Sequence, residues 1–322
     1  MKVLEIITSI FGLIHSVIST PLLSLNSTSM TQYNEFNNKY NHEFSYDKFE
    51  NFKKNTEYIK EFNQQNNSYK LEINQFADMN NFNFNVSIPH LKKEYYELED
   101  KIVPESMDWR KENVVTNVKD QGHCGGCWAF STTGSVEGVV AIKTGHLFNI
   151  SEQQLIDCSD QEGNHGCGGG IMDYGFQYII DNNGICSEED YPYQGIDGVC
   201  QDCEPIIQIK RYGNIFPNNE KILKRGVAQQ PVSIAIQANL SSFRFYSNGV
   251  YSDPNCGTLL DHGVLLVGYG TDEDTGLDYW LVKNSWGPLW GENGYMRMLR
   301  NTSGVHEPGM CGVAMQPCIP LL

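Results

Sequence analysis

The run from Asp120 to Phe130 reads DQGHCGGCWAF, two cysteines three residues apart beside a histidine and just ahead of an apolar stretch. Three chemistries compete for that spacing. A tetrahedral zinc site needs a second cysteine pair or two histidines at ligand spacing. Cys200 and Cys203 form another such pair, but Cys200 lies 73 residues beyond Cys127. A thioredoxin-like redox pair needs a βαβ setting, which the glycine-rich flanks argue against. The third chemistry makes Cys127 a nucleophile and Cys124 half of a structural bridge. A thiolate at a helix start is favoured by the positive end of the aligned peptide dipoles and by a nearby imidazolium. Gly125 and Gly126 let the backbone turn sharply, so that a substrate carbonyl can approach the Cys127 amide.

A nucleophile of this kind needs a distant histidine and a polar group to orient it. The run LLDHGVLLVGYG offers His262, 135 residues after Cys127 and at the start of an apolar strand pattern. The run YWLVKNSWGPLWGENGY offers Asn284, 22 residues further on, at the end of the next strand pattern. Neighbouring strands would bring both to the tip of a helix that begins at Cys127.

The elements that must hold these residues are legible in part. Residues 127–143 have small and apolar residues at helical spacing and stop at Gly145. Residues 151–158 start with a serine cap and predict a second, short helix. From about residue 206 the texture turns to strands, at 231–236, 263–270 and 279–286. A helical half followed by a strand-rich half predicts two packed subdomains with the site in a cleft between them. Ahead of them the composition is different. Residues 26–100 are rich in Asn and aromatics and free of cysteine. Tyr33, Phe36, Tyr40, Phe44, Phe52, Ile59 and Phe62 predict helix over 31–63, with an extended piece near 71–76.

With DQGHCGGCWAF, SEQQLIDCS, GCGGGIMDYGFQYI, EEDYPY, LDHGVLLVGYG and WLVKNSWGPLWGENGYM in this order, residues 104–318 resemble the papain-family cysteine proteases of the cathepsin L-like branch. The one departure in the first motif is Gly126, where the family has Ser or Ala. The resemblance implies an α+β fold of the papain-like two-subdomain type, a helical half and a β-barrel-like half with a cleft between, preceded by a helical prodomain. It implies Cys127 as nucleophile, His262 as general base and then acid, Asn284 as the residue orienting the imidazole, and Gln121 as oxyanion donor beside the Cys127 amide. Trp286 would shield the His262–Asn284 bond. Gly169 and Gly170 would offer backbone to an extended peptide. Ile171, Met172, Ala235, Leu260 and Gly263 would line the main specificity pocket, with Gln316 at its floor, and favour a bulky apolar side chain two residues before the cut bond. The implied disulfides are Cys124–Cys167, Cys158–Cys200 and Cys256–Cys311, leaving Cys186, Cys203 and Cys318, of which Cys186 and Cys203 flank one loop.

The first hundred residues resemble the inhibitory propeptide of the same branch. Phe52, Asn55, Ile59 and Asn63 fit its helix motif, and Asn74, Phe76 and Asp78 fit the short motif that follows. Its leading Glu and Arg positions fall on Phe44 and Lys48, so the salt bridge they make is lost or replaced, and Glu72 stands where the family has Gly. The expected division is a signal peptide at 1–19, a propeptide at 20–102 and a peptidase domain at 103–322. The resemblance implies polypeptide substrates, the propeptide as intramolecular inhibitor, cystatin-type protein inhibitors, a monomer, and no cofactor or metal. Two rivals remain: a scaffold that kept the fold without activity, and thiol-dependent acyl transfer to an amine.

Composition bounds the setting. The charge is −16, and residues 103–322 carry 26 acidic against 13 basic side chains, which argues against a nucleic-acid partner. Residues 1–19 have a basic start and an apolar run too short to span a membrane, which predicts a signal peptide cut after Ser19. All ten cysteines fall at or after Cys124, and with a signal peptide that density predicts disulfides in an oxidising compartment. Six sequons, at Asn26, Asn66, Asn85, Asn149, Asn239 and Asn301, suit the secretory pathway, ending in a lysosome, an acidic vacuole or outside the cell.

Overall fold

The computed structural model describes residues 28–80, 95–300 and 307–322. The expected signal peptide and the sequons at Asn26, Asn85 and Asn301 lie outside the described residues. The chain forms two compact units, one of 1–64 with 75–81 and one of 65–74 with 82–322.

In the first unit the stretch expected as one helical run is two helices, α1 over 28–40 and α2 over Tyr46–Asn63. Asn41 breaks them by taking φ of +55°, a conformation Asn tolerates better than most residues. The break folds the aromatic residues of α1 onto those of α2. Tyr33, Phe36 and Phe52 are buried with ring centres 5.0–5.9 Å apart. Phe44, expected on the apolar face, sits in the connecting turn and is 56% exposed. Asn55 on α2 donates to the carbonyls of Ala77 and Met79, which pins the turn at 75–78. Asp78 beside it is fully buried and takes His42 Nδ1 at 3.0 Å and Lys48 Nζ at 3.7 Å. The salt bridge in doubt from the sequence is therefore replaced: a histidine and a lysine hold the carboxylate.

The second unit is built around one helix, α3 (Cys127–Thr144), whose residues from Cys127 to Ala141 are almost all buried. A helix with no polar face can only sit inside a core. Helix α4 (Glu152–Cys158) starts where Ser151 Oγ accepts the Gln154 amide, the expected cap. Helix α5 (Met172–Asp181), not foreseen from the sequence, packs on α3 and α4. Helix α6 (Glu220–Val227) is capped by Asn219, and α7 is the short turn Ser241–Arg244.

The strands in chain order are β1 (Tyr69–Leu71), β2 (Met107–Asp108), β3 (Arg211–Asn214), β4 (Val232–Ile236), β5 (Tyr246–Tyr251), β6 (His262–Thr271), β7 (Asp278–Lys283), β8 (Tyr295–Leu299) and β9 (Cys318–Leu321). They form an open sheet in the order β1-β5-β8-β7-β6-β4-β9-β3, with β2 also on β6, antiparallel throughout except where β5 pairs with β8. Strand β6 is buried at every residue but its last, as a strand covered on both faces must be. Helix α3 lies against it, and the approach is close because glycine stands at the contacts. A Cβ on Gly134 would come within 2.8 Å of Leu265, and one on Gly138 within 2.6 Å of the Pro231 ring. Four disulfides, Cys124–Cys167, Cys158–Cys200, Cys186–Cys203 and Cys256–Cys311, tie the loops of this unit, and Cys127 and Cys318 are in none of them.

Gly138→Ala should destabilise the protein by about 1–3 kcal/mol through overpacking against Pro231. Thermal unfolding checks this; an unchanged midpoint would show that the helix has room to shift.

Candidate active site

Three residues of the candidate site sit at the ends of elements, where backbone direction aims them. Cys127 is the first residue of α3, His262 the first of β6, and Asn284 follows directly on β7. The Gly263 amide donates to Cys127 Sγ at 3.3 Å, which sets the sulfur against the start of β6. A Cβ on Gly263 would meet Trp128 Cα at 3.2 Å and the Cys127 carbonyl carbon at 3.3 Å, so a hydrogen is what lets the helix tip come so near. His262 Nε2 lies 2.8 Å from Asn284 Oδ1. An amide oxygen only accepts, so the ring carries its proton on Nε2 and leaves Nδ1 as the exchangeable nitrogen. The same Asn284 oxygen accepts the Ser285 amide at 2.8 Å, which fixes its orientation. Trp286 stacks on the imidazole with ring centres 4.8 Å apart. Burial pushes the Cys127 thiol up to about 11 and the His262 imidazole down to about 4, so both groups are neutral in this enclosed state.

Gln121 is held at both ends. Its amide donates to the Ser285 carbonyl at 2.8 Å, Ser285 Oγ donates to its Oε1 at 2.6 Å, and its Nε2 donates to the Cys124 carbonyl at 2.9 Å. Tyr193 Oη donates to its carbonyl at 2.8 Å. A side-chain amide has two N–H groups, so one remains for a ligand. Ser285 and Tyr193 both lie inside recognised motifs, but their roles could not be read there, because each acts through the side chain or backbone of Gln121, far away in sequence. The Cys124–Cys167 bridge and the Gly125 amide, which donates to the Cys167 carbonyl at 3.0 Å, hold the loop that carries Gln121 to the helix tip. Cys124 and Cys200 are both in disulfides, so the zinc reading of the two cysteine pairs has no free ligand set. His123 is exposed.

The substrate-binding expectations are distributed unevenly. Gly169 has φ of +112°, and its amide and carbonyl are taken by Gly166 and His165. Gly170 is the residue whose backbone makes no such bond among the described residues, and a Cβ there would meet Asn164 Oδ1 at 2.3 Å and Trp128 at 2.8 Å. Asn164, not foreseen, accepts the Ile171 amide at 2.9 Å and donates to Ser159. Met172 and Ala235 share one buried apolar cluster, with Leu260 packed on it, and Ile171 caps α5. Ala235 pairs with Gly263 in the β4–β6 register. Gln316 lies two residues before β9, whose Cys318 faces Ser233 of β4, and its Nε2 is buried without a hydrogen-bond partner among the described residues.

Beneath the site lies a buried charge cluster that no motif announced. Lys119 Nζ reaches Glu152 Oε1 at 2.5 Å and Glu137 Oε1 at 3.2 Å. Thr133 Oγ1 donates to Glu152, Thr116 Oγ1 to Glu137, and Lys283 Nζ to Thr116. Burial opposes the charge on Lys119, yet Glu137 and Glu152 together raise its pKa well above the usual lysine value. Burial pushes Glu152 up to about 7 and Lys283 down to about 8. A cavity of about 20 Å³ lies among these residues, with Gly263, Asn284 and Ser285 in its wall.

The sequence pattern of the papain family cysteine proteases matches residues 103–321, and that of the cathepsin propeptide inhibitor domain matches residues 33–84. The chain is 46% identical over 287 residues to cysteine proteinase RD21A of Arabidopsis thaliana, covering 85% of this chain and 61% of that protein. It is 46% identical over 291 residues to vignain of Ricinus communis, covering 79% of that protein. The proform of the ragweed pollen cysteine protease Amb a 11 superposes with a TM-score of 0.84 at 39% identity, over 91% of this chain and 93% of that one. The recombinant stem bromelain precursor superposes with a TM-score of 0.83 at 38% identity, over 92% and 99%. The chain belongs to the papain family of cysteine proteases and has the organisation of a zymogen, propeptide first. Among the described residues no helix is long and apolar enough to cross a membrane.

Lys119→Met should destabilise the fold by about 3–5 kcal/mol, because it leaves two buried carboxylates facing one distant lysine. Chemical denaturation checks this; a loss below about 1 kcal/mol would mean that the cluster is hydrated and screened.

Proposed function

We propose that the chain is a secreted or vacuolar zymogen whose mature part, from about residue 103, is a cysteine endopeptidase. The observation that carries the reading is the meeting of Cys127 Sγ with the Gly263 amide beside the His262–Asn284 bond. A nucleophile, a base and its orienting group thereby stand at one helix tip. The Cys127 thiol proton passes to His262 Nδ1, and the resulting Sγ thiolate attacks the carbonyl carbon of the scissile bond. The oxyanion takes hydrogen bonds from the Cys127 backbone N–H and from Gln121 Nε2. His262 then donates its proton to the leaving amine as the C–N bond breaks, which leaves a thioester. Water attacks the thioester with His262 as base, the acid departs and the thiol is restored. The neutral pair of the enclosed state becomes an ion pair in a hydrated cleft, where water and the start of α3 offset the charges.

Gly170 supplies the backbone on which an extended peptide aligns. The side chain two residues before the cut bond enters the apolar pocket of Ile171, Met172, Ala235 and Leu260, with the free Gln316 amide at its floor. Exposed Asn66, Asn149 and Asn239 suit glycosylation in the secretory pathway, and four disulfides suit its redox state. Cystatin-type inhibitors would occupy the same cleft, and the enzyme works as a monomer. Activation follows from acid, which protonates carboxylates that hold the propeptide, with the cut at 101–104.

An incubation series at falling pH should convert the precursor to a product shorter by roughly ten kilodaltons, a loss set by the propeptide's length. Peptide-library digestion by that product should show cleavage after a bulky apolar residue in the second position. Cys127→Ser should abolish both; cleavage that survives it would overturn the assignment. Gln316→Ala should shift the relative rates on matched peptides bearing Leu, Phe or Arg at that position. An unchanged ranking would remove Gln316 from the pocket.

A further inference from the structure

Within the peptidase unit one strand is borrowed from the propeptide. Strand β1 pairs antiparallel with β5, Tyr69 opposite Gly249 and Lys70 opposite Asn248. The Val250 amide donates to the Ser68 carbonyl at 2.9 Å, and the Glu72 amide to the Phe245 carbonyl at 2.9 Å. Side chains add to this ladder. Ser68 Oγ bonds the Val250 carbonyl and the Ser252 hydroxyl, and Asn74 Nδ2 donates to the Arg244 carbonyl at 2.8 Å. Tyr69, Leu71 and Asn74 are 4%, 3% and 4% exposed, and the Tyr69 ring lies 4.8 Å from that of Tyr251. Gly249, with φ of +92°, keeps the floor open, since a Cβ there would stand 2.4 Å from the Ser68 carbonyl. This is a fitted site for an extended chain, with an aromatic socket, an aliphatic socket two residues on and an amide contact three beyond that.

β5 lies at the end of the sheet order once β1 is gone. Removal of the propeptide therefore exposes a row of backbone groups and the Tyr246–Tyr251 groove, a template for another strand. The groove also leads to the active site. Trp290 Nε1 donates to the same Arg244 carbonyl that Asn74 uses, Trp290 packs edge-on against Trp286 at 5.2 Å, and Trp286 stacks on His262.

We propose that in the mature enzyme the β5 edge is a second binding site, which takes an extended segment of a protein substrate by strand addition and tethers that protein beside the cleft. The inference rests on the proposed removal of the propeptide. Its segment carries an aromatic residue, an aliphatic one two positions on and Asn or Gln three further. The tether raises cleavage of proteins over cleavage of short peptides that cannot span both sites.

The probe is a synthetic peptide copying residues 66–75, added to mature enzyme. Calorimetry should show one-to-one binding. Saturating peptide should slow digestion of unfolded casein by roughly tenfold or more, the gain a tethered second contact supplies. It should leave hydrolysis of a short fluorogenic peptide unchanged. A copy with Tyr69→Ala and Leu71→Ala should have no effect, and the enzyme variant Ser252→Arg, at a half-buried position outside the cleft, should reproduce the casein loss alone. Absence of binding, or binding without effect on casein, overturns the proposal. Equal slowing of both substrates overturns it too, since the peptide then acts in the cleft. So does an enzyme dimer that the peptide dissociates, since a second copy then owns the edge. Failure of the mature enzyme to cleave the short peptide would instead sink the catalytic reading, while calorimetry would still report on the edge.

Discussion

The close approach of α3 to β6 is the constraint from which the site follows. The helix brings Cys127 and the strand brings His262 and Gly263, and the tip lies this close because Gly263 has no side chain to press on Trp128 and Cys127. The Gly263 amide then becomes a donor to the sulfur instead of a spacer. The glycines at 134 and 138 repeat the arrangement about two and three turns along the helix, against Leu265 of β6 and Pro231 ahead of β4, so that helix and sheet stay close over their shared length. A helix buried all round is what makes this possible, since it has no polar face to keep in water.

Burying such a helix forces a second arrangement. Its Glu137 cannot reach solvent, so Lys119, Thr116 and Lys283 gather around it, and Glu152 of α4 joins through Lys119. The cluster lies between the helical half and the sheet and touches Asn284 and Ser285 through one small cavity. Ser285 in turn holds Gln121. The polar network under the candidate site and the residues of that site are therefore parts of one connected structure. Buried charges of this kind stabilise little as a pair and penalise strongly any loss of a partner.

The propeptide presents a different balance. Its own unit is held by an aromatic cluster and by Asp78 with His42 and Lys48. The segment 65–74, however, belongs structurally to the peptidase unit, as the outermost strand of its sheet. The family's usual ion pair is absent from the sequence, and its replacement was not legible there, because His42 lies outside the motif and meets Asp78 only through the turn that Asn41 makes.

Local order was largely determined by the sequence alone. The start of α3 at Cys127, its end at Gly145, the serine cap of α4 and the positions of β4, β6 and β7 follow from spacing, capping and glycine placement, which act within a few residues. The chemistry of a thiol nucleophile also pointed to Cys127, His262 and Asn284 at element ends, and the family resemblance added Gln121. Only the tertiary structure decided the rest. It left Gly170, unlike Gly169, with no backbone–backbone hydrogen bond among the described residues, recruited Ser285, Tyr193 and Asn164 to hold other residues, and assembled Lys119, Glu137, Glu152 and Lys283 from four separate stretches of chain. It also split the predicted helix at Asn41 and bound Tyr69–Leu71 to a strand some 180 residues away. These depend on which surfaces meet across long sequence separations, and a contact between distant segments leaves no period or cap in either of them.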